Sequence, residues 1–388
     1  MTAFRIPWTN EGAQYQAHRD EFDEVIAFVV HEGDVENGKY VAQFETDFAH
    51  YCRRKHAVSV GSGSDAISLS LQAVGLSSGD EVITVANSCC SVPLAIIRGG
   101  GIPVLVDIEK ETFNIDPGHV EEAITPRTRV IHAQHGYGIP CKIDALWEIA
   151  KKHSLVLMED IAVAVGATYE GRRAGEWGDI AVCSFTAGKV LSSWAPGAGM
   201  VLTDSPTVAN KVRALGHFGQ RRLREGDAIL EEFGVARQLC VELGMNSNLG
   251  ALQAGILGVK LRYYGDALKR RQEIAAQYRE LLEDLPVALP PCQKATNLVP
   301  AYRGYVIETP ARNCVYERLR ERGIEVRVHY TPPVHLQPAL AHLGYQYGGF
   351  PIAEGMARNM MSLPVSPEME EEQVGTVASE LTTALEEC

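Results

Sequence analysis

Long apolar runs are missing from this 388-residue chain. No stretch reaches the roughly 20 consecutive apolar residues that a membrane helix needs. The opening residues, MTAFRIPWTNEGAQYQ, hold no apolar segment of the secretory type. A cytoplasmic protein, neither secreted nor membrane-inserted, is therefore expected. Positive charge is also scarce: 36 Lys and Arg stand against 49 Asp and Glu, a formal net charge of -13. Without a basic block interleaved with aromatics, a nucleic-acid partner is disfavoured. Nine cysteines are scattered at 52, 89, 90, 141, 183, 240, 292, 314 and 388 with no C-x-x-C pair. No metal site is expected from such spacing, and the cysteines read as reduced thiols. Nucleotide motifs are lacking too. GSGSDA at 61–66 does not supply G-x-G-x-x-G, and SFTAGKV lacks the spaced glycines of a phosphate-binding NTPase loop.

What is present points to an α/β enzyme. A single core stops growing at about 250 to 300 residues, so two domains are expected: a large one over 1–255 and, over 256–388, a connecting helix with a smaller α+β domain. Between 55 and 205, short β-branched runs (AVSV, EVITV, IPVLVDI, VIHAQ, LVLMED, IAVCSF) alternate with helix-length amphipathic stretches. Such runs, apolar throughout, suit the buried strands of a mostly parallel sheet covered by helices on both faces. From about Ala251 to Leu282 the spacing predicts a long charged helix. Past the turn-prone stretch 285–300 the pattern predicts a strand (YRGYVIET), a helix (ARNCVYERLRERG), a strand (IEVRVHY) and a final amphipathic helix.

Three pieces carry chemistry. VSVGSGSDAISLSL at 58–71 runs a strand into glycine and serine before a helix opens near Ser64. Free N–H groups of a first turn, with glycines that let backbone approach closely, make a phosphate cup; ordinary strand-to-helix turns use the same residues. Asp160 ends the apolar run LVLMED. It sits where α/β folds place ligands, and either binds there or caps the next segment. Lys189 follows IAVCSF and Ser184 among small and apolar residues, a setting that lowers an amine pKa and makes it a nucleophile. A strand-end carboxylate 29 residues before such a lysine suits pyridoxal phosphate (PLP), whose ring nitrogen needs an acid and whose aldehyde needs an amine.

Further motifs extend this. GKYVAQFETDFAHYC, GDEVITVANS, HGYGIPCKIDAL, EDIAVAVGATYEGRRAGEWGD, CSFTAGK, GMNSNLGALQAGIL and VHYTPPVHLQPAL occur in that order. Across nearly its whole length the chain resembles the DegT/DnrJ/EryC1/StrS group of PLP-dependent sugar aminotransferases. The resemblance implies the aspartate-aminotransferase fold (fold type I), with a seven-stranded type of sheet. It also implies a homodimer with its active site between subunits, and transfer of nitrogen from glutamate or glutamine to a keto sugar or keto-cyclitol in antibiotic, secondary-metabolite or cell-surface sugar synthesis. By position, Lys189 is then the cofactor-linking lysine and proton shuttle, and Asp160 the partner of the ring nitrogen. Gly63, Ser64 and Ser184 match phosphate contacts, and Asn246 matches a contact made from the other subunit. His329 and Tyr330 match the substrate cleft, and His135 matches a histidine at a strand end that either serves the site or is hydrogen-bonded in the core. Lysine at 189, where the dehydrating branch has histidine, favours transamination.

Four places depart from the pattern. Cys89 stands where an aromatic ring stacks on the cofactor, and Val163 where a polar side chain approaches it. APGAG at 195–199 replaces a glycine-richer run, and Asn248 an arginine. They leave open an alternative: a PLP enzyme catalysing elimination, cyclisation or isomerisation. Cys89 and Cys90 are either reactive thiols or small buried hydrophobes, and His335 either touches substrate or caps a helix.

Overall fold

The computed structural model describes residues 4–33, 35, 38–222, 238–290 and 297–388. Unbroken apolar runs leave water only inside a sheet covered on both faces, and that is where these lie. Seven strands form one sheet: β1 (His56–Val60), β2 (Glu81–Val85), β3 (Ile102–Val106), β4 (Thr128–Gln134), β5 (Val156–Asp160), β6 (Ile180–Ser184) and β7 (Gly199–Thr203), in the order β1-β7-β6-β5-β4-β2-β3. The pairings among β2 to β6 are parallel, and β7 alone runs against both of its neighbours. This is the expected large, mostly parallel sheet of an α/β protein.

The charged connector is two helices, Ala251–Arg262 and Tyr264–Leu282, that meet at Tyr263. Residue 255, the expected edge of the large part, lies inside the first. A Cβ on Gly255 would come 2.4 Å from Val25, so this helix packs directly against an N-terminal one, Arg19–Glu32. Beyond the connector, Tyr305–Glu308 pairs antiparallel with Met360–Leu363, flanked by helices Arg312–Glu321 and Glu371–Glu387. The strand expected over IEVRVHY does not form. That stretch makes single bridges at Ile324 and Arg327, to Ile6 and Ser362, before the chain turns at Pro332 and Pro333. One apolar cluster runs from Ile83 and Leu105 in the sheet through Ile139 to Val306, Val334 and Met360, joining the two parts of the chain.

One expectation about cysteine is corrected. Cys314 and Cys388 form a disulfide, their Cα atoms 5.9 Å apart across a sequence separation of 74. Packing of the Arg312–Glu321 helix beside the terminal helix creates this pair, which spacing along the chain does not reveal. Cys52, Cys89, Cys90, Cys141, Cys183 and Cys240 are free thiols. Cys292 and part of the turn-prone stretch lie outside the described residues. Among the described residues no helix is long and apolar enough to cross a membrane.

Candidate active site

The carboxyl ends of β1, β4, β5 and β6 converge on one cavity of about 370 Å³. Register explains the convergence: Val60 and Ser184 face Gly199 from either side of β7, while Asp160 pairs with Gln134 on β4 and Val182 on β6. Gly63, Ser64, Cys89, Asp160, Val163, Ser184, Lys189 and Tyr330, all named from sequence, line it.

At one end the helix Gly63–Ala73 opens behind Ser62, whose Oγ accepts from Asp65 N–H at 3.1 Å. Other N–H groups of a first turn have no partner within their helix. Ser247 fastens the approach: its Oγ accepts from Gly61 N–H at 2.8 Å and donates to Asp65 at 3.0 Å. Only glycine fits at 63, because a Cβ there would stand 2.7 Å from Ser184 Cβ.

At the other end Asp160 Oδ1 accepts from Ala162 N–H at 2.9 Å, and Oδ2 lies 3.5 Å from His132 Nε2. Asp160 thus closes its own turn and also lines the cavity. Burial pushes its carboxyl pKa up, but the His132 ring, the Ala162 amide and the Lys189 charge outweigh this, and the net direction is down. His132 is itself buried on β4, with Nδ1 3.1 Å from Thr84 Oγ1. It escaped the sequence analysis because VIHAQ reads as an apolar strand; a lone polar residue inside that strand was the available signal.

Lys189 sits on a loop that doubles back after β6. Gly188 takes φ 81°, Lys189 N–H donates to Thr186 O at 3.2 Å, and Ser193 N–H donates to Phe185 O at 2.7 Å. From behind, Lys260 Nζ donates to Ser192 O at 2.9 Å. Burial, then the Arg303 charge, pulls the Lys189 amine down to about 8, with Asp160 opposing. Arg303 and Gln134 line the cavity as well. Neither had a local sequence signal, since Arg303 arrives from more than a hundred residues beyond the lysine.

Four residues named from sequence lie elsewhere. His135 is fully buried, its Nδ1 accepting from Cys141 N–H and its Nε2 3.1 Å from Glu159 Oε2. Glu159 also accepts from the amides of Gly175, Trp177 and Gly178. The pair thus holds a turn together, outside the cavity lining. His329 stands behind Tyr330: its carbonyl accepts from Tyr137 OH at 2.6 Å, and burial with the Arg303, Arg327 and Lys189 charges pushes its pKa to about 2. Asn246 is exposed, away from the cavity of its own chain, and accepts from Asn248 Nδ2 at 2.6 Å. His335, buried against Glu354 at 2.9 Å, is a core residue. Cys89 is exposed at the cavity, whereas Cys90 is half-buried and packs against the apolar cluster that holds Ile83 and Leu105.

An amine near neutrality, a carboxylate held ionised, and a glycine-closed cup of serines form one lining. This donor set fits a phosphorylated pyridine aldehyde. The model of the DegT/DnrJ/EryC1/StrS aminotransferase family matches residues 16–382. The chain belongs to that family. As a DegT/DnrJ/EryC1/StrS protein it is an aminotransferase. It is 37% identical over 370 residues to the dTDP-3-amino-3,4,6-trideoxy-alpha-D-glucose transaminase of Streptomyces venezuelae, covering 95% of this chain and 93% of that one. To the erythromycin biosynthesis sensory transduction protein EryC1 of Saccharopolyspora erythraea it is 37% identical over 377 residues, covering 97% and 98%. The solved structure of S. venezuelae DesV superposes with a TM-score of 0.90 at 36% identity, covering 99% of each chain. Spr1654 of Streptococcus pneumoniae, solved in a PLP form, gives a TM-score of 0.85 at 25% identity over 95% and 96%.

Proposed function

We propose that the protein is a PLP-dependent aminotransferase that moves an amino group from glutamate or glutamine to a keto sugar, nucleotide-linked or free, or to a keto-cyclitol. Antibiotic, secondary-metabolite or cell-surface sugar synthesis is its setting, by analogy with relatives named for such sugars. The observation that carries the reading is that Asp160 and Lys189 line one cavity together with Ser184 and with Gly63 and Ser64 at the start of a helix. PLP supplies an electron sink when bound, drawing in the electron pair left at the reacting carbon.

The chain's own residues do the rest. Asp160, kept ionised by His132, holds a proton on the ring nitrogen. The cup of Gly63, Ser64 and Ser184 anchors the phosphate at the helix N-terminus. Lys189 Nζ accepts the proton that leaves the donor α-carbon and holds it for return, a role suited to an amine whose pKa lies near the working pH. Val163 and Val182 keep water from the wall beside it.

Lys189→Ala is expected to lower turnover by on the order of 10⁴-fold or more, since it removes both the covalent anchor and the proton carrier. Full activity in that variant, measured as pyridoxamine phosphate formed from L-glutamate, would end this reading. The same half-reaction separates transamination from elimination, cyclisation or isomerisation, which consume no donor nitrogen.

The homodimer with a shared site belongs to the same proposal, and the exposure of Asn246 supports it. If it is right, mixing Lys189→Ala protein with Asn246→Ala protein restores activity that neither has alone; no recovery would count against it. A large part over 1–255, a smaller one over 256–388 and a cytoplasmic location complete the proposal. Two separate unfolding transitions in urea would support the division, and subcellular fractionation tests the location.

A further inference from the structure

Among the described residues, Arg303 is the cation of the catalytic cavity that has no carboxylate partner. Its neighbours in charge are all accounted for. Arg327 is paired with Glu325 at 2.8 Å, and His329 is neutral because burial and nearby cations hold its pKa near 2. Lys189 is engaged in the chemistry. Arg303 Nε donates to Gly188 O and Nη1 to Tyr330 OH, both at 3.4 Å. Among the described residues no carboxylate stands within ion-pair distance of it. A guanidinium in a cavity with two long, neutral hydrogen bonds has donors left for an anion, and its planar fork matches a carboxylate.

We propose that Arg303 binds the α-carboxylate of the amino donor, and so makes the enzyme select α-amino acids over simple amines. The inference rests on the aminotransferase reading above. Position decides which anion is read. Arg303 touches the residue next to Lys189 and its charge acts on the Lys189 amine, so its ligand lies close to the reacting carbon. In an α-amino acid the carboxylate is attached directly to that carbon. In a nucleotide-linked sugar the diphosphate is separated from an interior keto carbon by several bonds. The cofactor phosphate has its own cup, at Gly63 and Ser184. The same site serves a ping-pong reaction because donor and acceptor occupy it in turn.

The test uses the holoenzyme and two variants, Arg303→Met and Arg303→Lys, with three ligands. L-Glutamate reports the donor half-reaction. 2-Methyl-L-glutamate, which has no α-proton to lose, reports binding through the cofactor absorbance without turnover. 4-Aminobutyrate is a donor amine with no α-carboxylate. Arg303→Met is expected to weaken 2-methyl-L-glutamate binding, and kcat/KM for L-glutamate, by on the order of 10- to 100-fold, as loss of a charged hydrogen-bond pair should. Its rate with 4-aminobutyrate shares whatever change the lost charge makes at Lys189 but is expected to fall much less than the rate with L-glutamate, so that discrimination between the two donors collapses. Arg303→Lys keeps the charge but not the fork and should fall between. Unchanged glutamate binding in Arg303→Met would overturn the assignment, as would a loss confined to cofactor affinity or to the keto-sugar half-reaction. A wild-type enzyme that accepts nitrogen from no amino acid would instead bring down the functional reading along with it, so the two failures differ.

Discussion

Lys189 and Asp160 are recognisable from sequence because Asp160 ends an apolar strand and Lys189 stands on the loop just after another, where a charged side chain has little reason to stand unless something uses it. His132 and Arg303 have no such context. One hides within a strand and acts through Asp160; the other depends on folding of the far part of the chain. His135 and His335 show the converse, since both are conspicuous in sequence yet are committed to Glu159 and Glu354 in the core. At this scale the Lys189 pKa gives a measurable rate. With the amine at about 8, about a tenth is neutral at pH 7, against about one part in 3,000 for an ordinary lysine. Burial lowers the pKa of a cation, so the reactive neutral form rises with pH and saturates early. Capture of PLP by the apoprotein should therefore speed up with pH and flatten above about pH 8; a rate still climbing at pH 10 would contradict the assignment.

Elements were legible where pattern and packing agree. β1 to β6 fall where β-branched runs predict them, because each is enclosed on both faces. GMVLT, now β7, follows the turn residues APGAG and pairs antiparallel between β1 and β6, a position that only the closed sheet defines. IEVRVHY has strand propensity but meets only single bridges, and tertiary context overrides propensity there. The β1–β7–β6 contact also sets the dimensions of the phosphate cup. Gly63→Ala forces a methyl group to within 2.7 Å of Ser184 Cβ, and overpacking of this kind costs about 1–3 kcal/mol. PLP affinity should fall roughly tenfold or more, measured by titrating the cofactor absorbance. Adding Ser184→Gly, which removes the clashing carbon, should relieve the crowding; if the double variant packs no better than Gly63→Ala, sterics are not the cause.

For the whole molecule, the disulfide between Cys314 and Cys388 closes a long loop and ties the terminal helix to its neighbour. Removing a native bridge of this type costs about 2–4 kcal/mol. Cys314→Ser should lower the urea midpoint accordingly, and wild-type protein kept in reductant should match the variant. Equal stability with and without reductant would show that the bond contributes nothing. Neither cysteine could be singled out in advance, for proximity of two helices distant in sequence is a product of the fold.

The apolar cluster that passes from Ile83 and Leu105 to Val334 and Met360 also limits how this enzyme can be handled. A seam of that kind has no natural perforation: cutting at 255 would lay greasy faces open on both fragments, and neither half would make a well-behaved preparation for crystallisation or directed evolution. Engineers who wish to swap substrate preference among such enzymes would do better to graft the rim around Cys89, Arg303 and Tyr330 than to exchange entire lobes.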